Sequence, residues 1–122
     1  MAAYNIAFAA PDNAAGAISS NARPVDMVHL SRQTMGDKAL EIEVLRAFAR
    51  QVRIYMTELS GPDRAKTSAT AHRLKGSAAS IGAFELAEAA GLLEAKPADP
   101  ALLAAVSAAV IDVHNFILAL DR

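Results

Sequence analysis

The chain has no cysteine, so disulfides, thiol nucleophiles and thiolate metal sites are all excluded. That absence fits a reducing compartment, and a cytoplasmic location is expected. Neither acidic nor basic residues are in excess: 12 basic residues face 13 acidic ones, for a net charge of −1. No basic stripe suits nucleic acid, and no cationic amphipathic segment suits a membrane surface. No apolar run approaches the roughly 20 residues that span a bilayer. The apolar stretch Tyr4 to Ala10 lacks a basic n-region and contains Asn5, unlike a secretory leader. Aromatic residues are only 5% of the chain, and β-branched runs are few.

What is present is Ala, Leu, Val and Ile in quantity, with 53% of residues apolar. Strong helix formers at this density predict an all-α domain. A chain of 122 residues fits one domain and buries roughly two-thirds of its unfolded surface.

Punctuation divides the chain into helices. Residues 1–23 carry Pro11-Asp12-Asn13 and Ser19-Ser20-Asn21 and no sustained period, so they read as a flexible tail. Ile6 and Phe8 are the residues through which part of it would dock. Pro24 to Met35 reads as a short first helix, with Gly36 as its stop and Asp37 as the next N-cap. From Lys38 to Leu59, Leu40, Val44, Phe48, Val52, Tyr55 and Leu59 recur at three- and four-residue steps. That is an amphipathic stripe, with Glu41, Glu43, Arg46, Arg50 and Arg53 lying off it.

Ser60-Gly61-Pro62-Asp63 ends this helix and starts a third, with Pro62 suited to its first turn, which runs to about Ser80 and stops near Gly82. A shorter fourth carries Phe84, Leu86, Ala90 and Leu93, and Lys96-Pro97 ends it. Asp99-Pro100 starts a last helix with a seam of Leu103, Val106, Val110, Val113, Ile117 and Leu120. Long helices with short connections predict an antiparallel four-helix bundle over residues 24–122, the short first helix being appended.

The chemistry concentrates in Ala71-His72-Arg73-Leu74-Lys75-Gly76-Ser77-Ala78-Ala79-Ser80-Ile81-Gly82. At about 100° per residue, Leu74, Ala78 and Ile81 share a core face with Ala71 beside them. His72, Gly76 and Ala79 fall on the opposite, solvent face, with Lys75 next to them. Gly76 inside a helix costs about 1 kcal/mol relative to Ala. It sits one turn after His72, where even a methyl group would obstruct something approaching the ring. Ala65, Ser68, Ala69 and Ala79 complete an apron of small residues that suits docking by another protein.

A neutral imidazole nitrogen is a good nucleophile towards phosphorus, and an imidazole of ordinary pKa, about 6.5, is mostly neutral at pH 7. Lys75 lies about one turn from His72, within reach of phosphoryl oxygens on it. Positioning and charge neutralisation are most of what phosphoryl transfer asks of such a protein. A metal ion and an accepting aspartate would come from a partner, since this face offers no carboxylate pair.

These residues resemble the signature of histidine-containing phosphotransfer (HPt) domains. The shared pattern is His72-Arg73-Leu74-Lys75-Gly76-Ser77-Ala78, then Ile81-Gly82-Ala83 and Leu86-Ala87. Val25-Asp26, Gly36-Asp37, Leu45 to Phe48 and the pair Leu93-Glu94 extend the likeness over roughly residues 24–121. The resemblance implies a bundle fold and phosphorylation of His72, with Lys75 as the phosphoryl-stabilising cation and Gly76 as the clearance residue. It implies receiver domains of response regulators or hybrid kinases as partners, no resident cofactor, and Mg2+ on the receiver. Arg73 joins Ala65, Ser68, Ala69 and Ala79 on the expected docking surface. The chain departs from the family after Glu94, where Ala95-Lys96-Pro97 replaces a longer basic continuation.

A lone surface histidine on an Ala-rich helix would ordinarily need no function; the spacing to Lys75 and Gly76 is what sets His72 apart. His29 and His114 have no such company, and the three histidines form no metal-ligand spacing. Arg46, Arg50 and Arg53 read as a solvated face or as part of a docking rim. A kinase is not expected, because no Gly-rich nucleotide loop is present. Resemblance to the histidine kinase dimerisation helix would also imply an acidic residue after the histidine, where Arg73 stands. The competing reading is a helical interaction module that binds receiver or kinase partners without phosphotransfer. A monomer is expected, a dimer through the last helix being the third possibility.

Overall fold

The computed structural model describes residues 23–121. The tail expected over residues 1–23, with the docking of Ile6 and Phe8, lies outside the described residues except for Arg23. Among the described residues five α-helices follow one another: α1 (Met27–Gln33), α2 (Lys38–Leu59), α3 (Arg64–Ser80), α4 (Phe84–Ala95) and α5 (Pro100–Leu120). Among the described residues there is no strand.

Four of the helices begin at an aspartate whose side chain accepts from backbone N–H groups of the first turn. These caps are Asp26, Asp37, Asp63 and Asp99. Each satisfies donors that a helix start leaves without an intrahelical partner. Pro100 sits at the first position of α5, where a missing N–H costs nothing. Two boundaries differ from expectation. α1 is shorter than Pro24 to Met35, because Asp26 caps it and left-handed Met35 and Gly36 (φ 54° and 77°) turn the chain beyond Thr34. Pro62 precedes the Asp63 cap and stays outside α3.

α2 packs on α3 and α5, α3 on α4, and α4 on α5, closing a four-helix bundle, with α1 against α2. Links of three or four residues make successive helices antiparallel. The core holds Leu45, Phe48, Val52, Tyr55 and Leu59 from α2, Ala71, Leu74 and Ala78 from α3, Leu86, Ala90 and Leu93 from α4, and Val106, Val113 and Ile117 from α5. Each large member contributes about 1.5–3 kcal/mol by leaving water.

The first half of the α2 stripe is rotated from the expected one. Leu45 is fully buried while Leu40 is 43% exposed, and Glu41, read as off the stripe, is only 2% exposed. Glu41 lies beneath α1, with Thr34 Oγ1 at 3.4 Å and Lys38 Nζ at 3.6 Å. A polar lid from α1 thus decides which side of α2 faces inward there. Elsewhere, Phe84 and Leu120 are exposed rather than core.

The expectation about long apolar segments is also corrected. α5 is long and apolar enough to cross a membrane by length and composition, with a mean hydropathy of 1.9 over its most apolar window. Ser107, Asp112, His114 and Asn115 break the uninterrupted run, so counting runs misses it. In the bundle its seam faces α2 and α4, with Ile111 and Leu118 outward.

The corner between α3 and α4 is fixed from outside by α1. Gly82 adopts φ +87°, and a Cβ there would meet the Asp26 carbonyl oxygen at 2.8 Å. The Asp26 N–H donates to the Gly82 carbonyl at 2.9 Å. His29 Nε2 lies 3.1 Å from the Ser80 carbonyl oxygen, and its ring meets Phe84 edge-on at 5.1 Å. His29 is therefore a tie between α1 and this corner, and needs no other role.

A histidine, a lysine and a glutamate across two helices

Helical phase puts His72 outward. Ala71, Leu74 and Ala78 are buried against the bundle, and His72, one step round the helix, is 67% exposed at its side chain. Gly76 and Lys75 share the exposed side. A Cβ built on Gly76 would meet nothing within 4 Å. Close packing within the bundle therefore does not explain this glycine.

The residue that pattern reading placed without a role is Glu94. It arrives from α4, 22 positions along the chain, and its Oε2 lies 2.9 Å from His72 Nδ1. Its Oε1 lies 3.6 Å from Lys75 Nζ. One carboxylate thus engages both side chains. Beside an ionised carboxylate, Nδ1 carries the proton and donates it, which leaves the lone pair of the neutral ring on Nε2. The Ser68 hydroxyl donates to the Glu94 carbonyl oxygen at 2.9 Å, pinning the end of α4 to the turn of α3 that precedes His72.

The expected docking residues divide. Ala65 and Ala69 are exposed, and Ala79 is partly buried. Ser68 is engaged with Glu94, and Arg73 is turned away, onto α2. Arg73 Nη2 lies 3.0 Å from Glu58 Oε1 and 3.1 Å from Thr70 Oγ1, with the guanidinium 6.0 Å from the Tyr55 ring centroid. The Thr70 hydroxyl also donates to Glu58 at 2.8 Å. That bond above all, with the charges of Arg73 and Lys66, holds the Glu58 carboxyl below the usual range despite partial burial. Arg46 pairs with Asp121 at the far end of α5, with Nε 2.9 Å from Oδ2, while Arg50 and Arg53 are exposed. Among the described residues no three potential ligands gather into a metal site.

The Hpt domain family model matches residues 26–116, which takes in all of α1 to α4 and most of α5. The chain belongs to the Hpt domain family. No curated protein and no solved structure matches it. Hpt domains are histidine phosphotransfer modules of phosphorelays, phosphocarriers rather than catalysts, and they interact with receiver domains. The all-helical bundle expected from the sequence is the fold observed. The match also spans both helices of the site, α3 with His72 and α4 with Glu94.

Proposed function

We propose that this Hpt domain carries a phosphoryl group on Nε2 of His72, accepting it from and returning it to the aspartate of a receiver domain. The observation that carries the reading is the 2.9 Å contact between Glu94 and Nδ1, which leaves Nε2 as the nucleophile on an exposed ring. In the accepting step Nε2 attacks the phosphorus of an aspartyl phosphate. A P–N bond forms, the P–O bond to the aspartate breaks, and the carboxylate leaves with the electron pair. The ring becomes cationic, and Glu94 beside Nδ1–H stabilises it, much as a buried carboxylate does for a catalytic imidazolium. Lys75 offers an ammonium to the phosphoryl oxygens. Gly76 leaves the approach open, and Ala65, Ala69 and Ala79 form the low surface around it. A divalent cation, Mg2+, is supplied by the receiver. The protein acts in the cytoplasm as a monomer, and it meets its partners through a small, transient interface of under about 1,200 Å².

The test is phosphate transfer from a panel of phosphorylated receiver domains to wild type and to His72→Gln. Acid-labile, base-stable label on wild type alone is the expected result. Label on His72→Gln at an undiminished rate overturns the assignment of His72. No label on a folded wild type from any donor favours the competing reading, a helical module that binds partners without taking phosphate.

A further inference from the structure

Gly91 lies in the interior of α4, where glycine is the poorest helix former after proline. It is three residues before Glu94, on the same side of the helix. A Cβ built on it would meet Lys75 Cδ at 3.2 Å and, apart from its own helix, no other described atom within 4 Å. The usual reason for a glycine between packed helices is close approach of two backbones. Here the neighbour is a side-chain stem, and it belongs to the lysine beside His72. The same residue type serves a different purpose at Gly76, whose missing Cβ would point into open space.

We propose that Gly91 is a positioning residue for Lys75. Its missing methyl leaves a channel on α4 in which the Lys75 stem lies flat, so that Nζ comes to 3.6 Å from Glu94 Oε1. A methyl group at position 91 displaces the stem by a few tenths of an ångström, because 3.2 Å is too short for two saturated carbons. The stem is flexible, so the fold survives the change. What moves is the ammonium, and with it the Glu94 carboxylate that also holds the imidazole. The inference rests on the role proposed above for Lys75.

A double-mutant cycle tests it: wild type, Gly91→Ala, Lys75→Ala and the double variant. Initial transfer rates are measured from the receiver domain that labels wild type, alongside thermal melting. Gly91→Ala is expected to melt at or above the wild-type temperature, because Ala is the better helix former. It is expected to transfer several-fold more slowly than wild type. In the Lys75→Ala background the same substitution is expected to change the rate by less than about 1.5-fold, since coupled residues are non-additive. Equal rates for wild type and Gly91→Ala overturn the proposal. So does the same fold loss in both backgrounds, which marks a general effect on α4. Failure of the underlying reading looks different: wild type takes no label, or Lys75→Ala transfers at the wild-type rate.

Discussion

Glu94 Oε2 and His72 Nδ1 are 2.9 Å apart, joined across the α3–α4 interface by residues 22 positions apart in the chain. With Nδ1–H as the donor, the contact leaves the ring lone pair on Nε2 and gives the exposed histidine a preferred orientation. Removing the carboxylate removes a charge-assisted hydrogen bond, worth about 1.5–3 kcal/mol where water is excluded and less on an exposed ring. At about 1.4 kcal/mol per factor of ten, Glu94→Ala is expected to slow transfer about tenfold. It is also expected to raise the population of the Nδ1 lone-pair tautomer, read from the ring 15N shifts of His72. An unchanged rate and tautomer ratio would show that the contact does not act in transfer.

His72 itself makes no core contact. His72→Gln is expected to abolish uptake of phosphate while changing stability by no more than about 0.5 kcal/mol, the usual range for a surface substitution. Transfer assays and chemical denaturation on the same sample check both halves.

Gly76 and Gly82 respond to alanine in opposite directions. At Gly76 the new methyl meets nothing in the protein, and the helix gains about 1 kcal/mol of propensity. Gly76→Ala should therefore melt at a higher temperature while taking phosphate from a receiver more slowly. Stabilisation without loss of transfer would remove the clearance role.

At Gly82 the methyl lands 2.8 Å from the Asp26 carbonyl oxygen, a backbone atom, at a residue with φ +87°. Strain of this kind costs about 1–3 kcal/mol before the overlap is counted. Gly82→Ala is expected to lose at least about 2 kcal/mol of stability and to loosen α1, read by urea unfolding and by hydrogen exchange at the Asp26 amide. Wild-type stability would mean that the α1 contact adapts freely.

Glu58 sets a pH dependence on the opposite side of α3. Its carboxyl is held below the ordinary range, so its contribution to stability is present above the unfolded carboxylate pKa. That contribution is lost as pH falls through the lowered folded value. Glu58→Gln is expected to be less stable than wild type at pH 7, with the gap closing as the pH falls below the folded value. Urea titrations at several pH values check this, and a gap that stays constant would mean that the charge of Glu58 is not what stabilises the bundle.

Much of this molecule was legible one residue at a time. Asp37 and Asp99 announce helix starts because capping is a local bond between a side chain and the next turn. Ala71, Leu74, Ala78 and Ile81 announce the inner face of α3, and hence the outward face of His72, because helical phase is a property of the backbone. Lys75 and Gly76 belong to the same helix, and the same period places them on its exposed side. The rest depends on which helix lies against which, and at what height. Glu41 is buried because α1 covers it, although its position on α2 reads as solvent-facing. Arg73 lies toward α2 because Glu58 and Thr70 capture it. Glu94 reaches His72, and Gly91 makes room for Lys75, only because α4 packs on α3 in one register. Local bonding and helical period are written within a few residues of sequence, whereas contacts between helices exist only once burial of the whole core has selected their alignment.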